Sequence, residues 1–193
     1  MLIIASPRSG GTAFCIDLAK KLNKPFLGEL SALYLKGNGL ENYKNWGHEI
    51  PDSQPDYSDE DFADMLSGQA NGVILVNKTG YLYVDKADYI LLRDPMNALM
   101  SLADSLSGGY PGMPVEAICH FLTSVFEDTY GLISYCLQEQ ESVIWFEDHY
   151  NCHTPTPIEH LPAQHEAIVR GYLTKLFKRS DIVEKVEMLR NIS

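Results

Sequence analysis

The stretch that most restricts how this chain can fold is its N-terminus. Met1 to Ala5 is a short apolar run, Ser6-Pro-Arg-Ser-Gly-Gly-Thr12 is a turn of small residues with one arginine, and Ala13 to Leu22 has helical character. A strand feeding a glycine-bearing turn and then a helix aims backbone N–H groups, and the positive end of the helix, at one point. Such a point suits a phosphate or a sulfate. Arg8 can grip the same anion with two hydrogen bonds from its planar guanidinium. The turn lacks the Gly-Lys-Ser/Thr of nucleoside-triphosphate loops. Gly10 is followed by Gly11-Thr12-Ala13, and the basic residue precedes the glycines. That departure points away from triphosphate hydrolysis and towards other phosphate-handling chemistry.

The rest of the chain alternates apolar runs with helical patterns. Leu2 to Ala5 is the first expected strand, and the first helix runs from about Gly11 to Leu22, with Ile16, Leu18, Ala19 and Leu22 inward. Asn23-Lys24-Pro25 breaks it, and Phe26 to Leu30 is a short strand or a turn. Tyr34 to Ser58 is rich in Gly, Asn, Asp, Pro and Tyr, which reads as an irregular insertion, either a binding loop or disorder. A capped helix is expected from Ser58 to Leu66. Gly72 to Val76 and Asp88 to Leu92 are buried strands, followed by Asn77-Lys78 and by Arg93-Asp94-Pro95. Helices are expected over Met96 to Leu106, Pro114 to Gln138, His165 to Phe177 and Asp181 to Ile192, with a further strand from Ser142 to Phe146. This alternation predicts a single α/β domain over 1–193, a three-layer sandwich with a mainly parallel sheet.

The chain of 193 residues is 45% hydrophobic, enough for a core that needs neither disulfide nor metal. Its four cysteines form no Cys-x-x-Cys pair, so reduced thiols are expected. The histidines and cysteine between His149 and His165 fit no common zinc spacing, and a solvated loop is the simpler reading. No apolar run approaches the ~18 residues of a membrane span, and the apolar start is short for a signal peptide, so a cytoplasmic protein is expected. A net charge of −11 disfavours nucleic acid as a partner. An anionic ligand is compatible with that charge only if the few basic residues converge on one cleft.

Four features follow expected strands: the Arg8 turn, Glu29, Asn77-Lys78, and Arg93 with Ser101 eight residues later. Open α/β sheets bind ligands at the carboxyl ends of their strands. Arg93 at a strand end and Ser101 two turns into the next helix can meet around one anion. Two anion sites with an adenosine between them describe a nucleotide phosphorylated on both sides of its ribose.

In these motifs the chain resembles the sulfotransferases that use 3′-phosphoadenosine 5′-phosphosulfate (PAPS). Ser6-Pro-Arg-Ser-Gly-Gly-Thr12 is similar to the family's 5′-phosphosulfate loop. Tyr89-Ile-Leu-Leu-Arg-Asp-Pro95 with Ser101 is similar to its 3′-phosphate motif, and Val143-Ile-Trp-Phe-Glu-Asp148 to its later strand ending in Tyr-Glu-Asp. The similarity covers about residues 1 to 150. Gly28-Glu29 and Asn77-Lys78 match the protein-tyrosine type most closely, and the His of the small-molecule type is replaced by Gly80. Two departures stand out: Gly11 replaces a Ser or Thr of the loop, and the C-terminal Arg-Lys-Gly segment has no clear counterpart.

The resemblance implies a P-loop NTPase-like fold, PAPS as donor, 3′-phosphoadenosine 5′-phosphate (PAP) as product, and no metal. It implies that Pro7, Arg8, Ser9, Gly10, Gly11 and Thr12 hold the 5′-phosphosulfate and that Arg93 and Ser101 hold the 3′-phosphate. Arg8 and Lys78 would neutralise charge on the leaving phosphate, and Glu29 would be general base towards an acceptor hydroxyl. The acceptor is not named by the sequence, and a homo-oligomer is compatible with it. Two other readings stay open: a nucleotide or small-molecule kinase with a degenerate loop, and a non-catalytic PAP-binding or interaction module.

Overall fold

A computed structural model describes residues 1–29, 72–77, 87–155 and 157–192. The irregular insertion, the helix expected from Ser58, and Lys78 lie outside the described residues. The chain divides into two compact units, Met1–Ala5 with Gly10–Leu91, and Ser6–Ser9 with Leu92–Ser193.

The first unit is built on parallel strands. They are β1 (Leu2–Ala5), β2 (Phe26–Glu29), β3 (Val73–Val76) and β4 (Tyr89–Leu92), in the order β2-β3-β1-β4. Register pairs Ile4 with Val76 and with Ile90, and Glu29 with Leu75. The carboxyl ends of all four strands therefore leave from one edge. β1 and β3 are apolar and buried throughout, as parallel strands covered on both faces must be. The Asp88 carboxylate accepts the Leu2 N–H at 2.7 Å and so ties the start of β1 to the start of β4.

Helix α1 (Gly11–Leu22) buries Gly11, Phe14, Cys15 and Ala19, spaced as one helical face. Of the four inward residues expected from the sequence, only Ala19 is buried, and Leu22 is 42% exposed. The register is set at the first residue. A Cβ on Gly11 would lie 2.8 Å from Ala5 Cβ and 2.9 Å from Leu75 Cδ1, so only glycine lets the helix start this close to the sheet. Asn23, at φ 52°, ends α1 in the left-handed region, with Lys20 and Lys21 favourably placed in the last turn.

The second unit is mainly helical. It contains α2 (Pro95–Gly109), α3 (Val115–Glu139), the two-residue strand β5 (Ile144–Trp145), the single turn α4 (Phe146–His149), α5 (Ala163–Lys178) and α6 (Ile182–Ile192). Pro95 opens α2 and the Asp94 carboxylate accepts the Asn97 N–H at 2.9 Å, a capped start with a prearranged first residue. The central helix α3 packs against α2, α5 and α6. Asp104 of α2 fixes the loop before α5, since one of its oxygens accepts the N–H groups of Glu159, His160 and Leu161 at 3.0, 2.7 and 2.8 Å. The strand expected over Ser142 to Phe146 is shorter than its apolar run, because the chain turns into α4 at Phe146.

Among the described residues the two units make an α/β protein in which β1–β3, β1–β4 and β2–β3 pair in parallel. Among the described residues no helix is long and apolar enough to cross a membrane. The four cysteines are free thiols, with Cys15, Cys119 and Cys136 buried.

Candidate functional site

The turn after β1 is shaped by its own hydrogen bonds. Ser9 is fully buried, and both its N–H and its hydroxyl donate to the Ser6 carbonyl, at 3.1 and 2.5 Å. The Ser9 N–H thus faces inward and is already engaged. Arg8 sits at φ 63° and Gly10 at φ 76°, both left-handed, which reverses the chain within a few residues. Gly10 caps α1 without a side-chain acceptor, and the first N–H to bond back is that of Phe14, to the Gly10 carbonyl at 3.0 Å. The N–H groups of Gly10, Gly11, Thr12 and Ala13 therefore have no partner within the helix. Of the loop residues named from the sequence, Ser9 has its N–H and hydroxyl engaged by the Ser6 carbonyl, while Gly10, Gly11 and Thr12 have N–H groups that the helix leaves open. Thr12 is exposed, whereas Gly11 faces Ala5 and Leu75. A side chain at position 11 would start against Ala5 and Leu75.

In the second unit Arg8, Arg93 and Ser101 come together. The Arg93 guanidinium donates through Nη1 to the Arg8 carbonyl at 3.1 Å, and Arg8 Nε approaches Ser101 Oγ at 3.4 Å. Arg93 and Ser101 are each 5% exposed, while Arg8 is exposed. Burial pulls the Arg93 pKa below its ordinary value, Glu147 and Cys152 offset this, and the neighbouring Arg8 adds to it.

Beside Arg93 lies Glu147, a buried residue of α4. One Glu147 oxygen accepts the Asp94 N–H at 2.9 Å and lies 3.9 Å from Arg93 Nε. The other lies 3.3 Å from Arg190 Nη2 on α6. The Arg93 guanidinium carbon stands 4.7 Å from the Phe146 ring centre, and that of Arg190 4.0 Å from the ring centre of Trp145. Arg190 also reaches Asp148 at 3.5 Å. A signal for Glu147 lay in the similarity of Val143 to Asp148 to the family's later strand. There was none for Arg190, which lies outside every motif.

Glu29 belongs to the first unit. It closes β2 at the carboxyl edge, 7% exposed, after Gly28 at φ 107°. Nearby, the Cys15 thiol is pushed up to about 12, by burial first and by Glu29 second. Cys15 is therefore a protonated core thiol and no nucleophile. Asn77 follows β3 at the same edge, half-buried. Pro7 is half-buried in the turn. Among the described residues no three His, Cys, Asp or Glu side chains gather as a metal group.

No protein-family model matches the chain, and no curated protein matches its sequence.

Proposed function

We propose that the chain is a PAPS-dependent sulfotransferase with a P-loop NTPase-like, three-layer fold, acting on an acceptor hydroxyl. The observation that carries this reading is the gathering of Arg8, Arg93 and Ser101, residues far apart in sequence, into one basic cluster with a hydroxyl. Support also comes from the uncapped N-terminus of α1, whose free N–H groups suit the 5′-phosphosulfate. Glu29, at the carboxyl edge of the sheet, supports the base assignment.

When bound, the donor supplies an activated sulfuryl group. Glu29 takes the proton of the acceptor hydroxyl as its oxygen attacks sulfur. The new sulfur–oxygen bond forms as the bond to the 5′-phosphate oxygen breaks, and the electron pair leaves on that phosphate. The N–H groups at the start of α1 and the Thr12 hydroxyl stabilise the charge arriving there, and Lys78 is assigned to the same oxygen. Arg93 and Ser101 hold the 3′-phosphate, which anchors the nucleotide away from the reacting centre and distinguishes it from ordinary nucleotides. Gly11 carries no chemical role.

The test is transfer of labelled sulfate from PAPS to a panel of hydroxyl acceptors, including tyrosine peptides. Glu29→Gln is expected to lower turnover by about 100-fold or more while leaving PAP affinity intact. Normal turnover in that variant would remove Glu29 from the mechanism. PAP binding without transfer to any acceptor would favour a binding module over an enzyme.

A further inference from the structure

As a base, Glu29 has to present its carboxylate on the side of the sheet where α1 begins. We infer that Gly28 is the residue that puts it there: the positive φ of Gly28 closes a bulge in β2 that turns Glu29 onto the α1 face, which makes Gly28 a positioning residue for proton removal from the acceptor. The inference rests on the assignment of Glu29 as base and adds a second residue to it.

The register of β2 against β3 slips by one residue. Phe26 pairs with Val73, but Gly28 pairs with Ile74 and Glu29 with Leu75, so Leu27 is an extra residue in β2. Residues paired across a parallel ladder share a face, and successive residues alternate between faces. Val73 and Leu75 lie on one face, so Phe26 and Glu29 share it although they are three positions apart. A regular strand would send those two side chains to opposite faces. Separate observations identify the shared face as the α1 side. Phe26 borders a cleft with Ile16, Ala19 and Lys20 of α1 and with Asn23 and Lys24 just after it. A Cβ on Gly11, the first residue of α1, would lie 2.9 Å from Leu75 Cδ1. The Cys15 thiol of α1 is pushed up by burial and then by the charge of Glu29. The bulge itself depends on glycine, because Gly28 stands at φ 107°, where an L side chain is strained. The extra residue is accommodated at Gly72, where a Cβ would come within 2.6 Å of Leu27 Cγ.

A mutant cycle separates positioning from general support of the fold. The full chain, Gly28→Ala, Gly28→Asn, Glu29→Gln and each Gly28 variant combined with Glu29→Gln are compared in sulfate transfer from PAPS to the acceptor panel, and in PAP affinity by calorimetry. Gly28→Ala is expected to lower kcat roughly tenfold or more, with acceptor KM and PAP Kd changed less than about twofold. In the Glu29→Gln background the same substitution should lower kcat less than about twofold, because it acts through a carboxylate already gone. Gly28→Asn enters positive φ more readily than alanine and should show a smaller loss of the same kind, which carries the test if Gly28→Ala melts early. An unchanged kcat in the folded Gly28 variants, a greater loss for Asn than for Ala, or an equal loss with and without Glu29→Gln overturns the role of Gly28 and leaves Glu29 as base. Normal turnover in Glu29→Gln, or no transfer by the unaltered chain to any acceptor, overturns the base assignment and the role of Gly28 with it.

Discussion

Gly11 shows how a residue that departs from a family pattern can be set by packing. The sequence comparison registers a lost hydroxyl donor, whereas the structure shows a position where any side chain would strike Ala5 and Leu75. A spacing rule sees residue types along a chain and has no access to the 2.8 Å left between a helix and a strand. Gly11→Ser is therefore expected to destabilise the fold by roughly 1–3 kcal/mol through overpacking. It should bring no gain in PAP affinity, because the new side chain starts against Ala5 and Leu75. Urea denaturation read beside a PAP titration checks both halves. Unchanged stability with tighter PAP binding would return position 11 to the ligand. The placement of Arg93 at a strand end and of Ser101 two turns into the next helix was legible for the opposite reason, since strand ends and helical spacing are local. The left-handed turn at Arg8 was not legible, because the contacts that hold it come from residues about ninety positions away.

At the scale of elements, the sequence located the described strands and longer helices, because apolar runs and helical spacing are local properties. β1 and α1 begin and end where the pattern does. It misjudged the end of β5, where Val143 to Phe146 is apolar throughout yet only Ile144 and Trp145 are strand. The early turn into α4 buries Glu147 against the Asp94 N–H and Arg93, and this contact between distant segments outweighs the local strand preference of Phe146. Glu147→Ala should consequently cost about 3 kcal/mol, since it removes a buried carboxylate that faces Arg93 and accepts the Asp94 N–H. Arg190→Ala should cost less than about 1 kcal/mol, because Arg190 is a third exposed and water replaces what it loses. Chemical denaturation of the two variants compares them directly. Equal small losses would show that Glu147 does not support Arg93.

For the whole molecule, the parallel α/β character follows from strands alternating with helices, and it could be read before any coordinates. The tension between a charge of −11 and an anionic ligand is eased by local concentration. Arg8 and Arg93, two of fifteen basic residues, lie together, whereas Arg190 is paired with Glu147 and Asp148. The proposed function requires that the chain recognise a nucleotide phosphorylated at both 3′ and 5′ positions. The most direct test is thermal unfolding of the chain with PAP, ATP or GTP at matched concentrations, because a ligand of the native state raises its melting temperature. At a hundredfold excess over its Kd, PAP is expected to raise the midpoint by roughly 5–10 °C, with little or no shift from ATP or GTP. A shift with ATP or GTP that equals or exceeds the shift with PAP would contradict the account and favour a kinase.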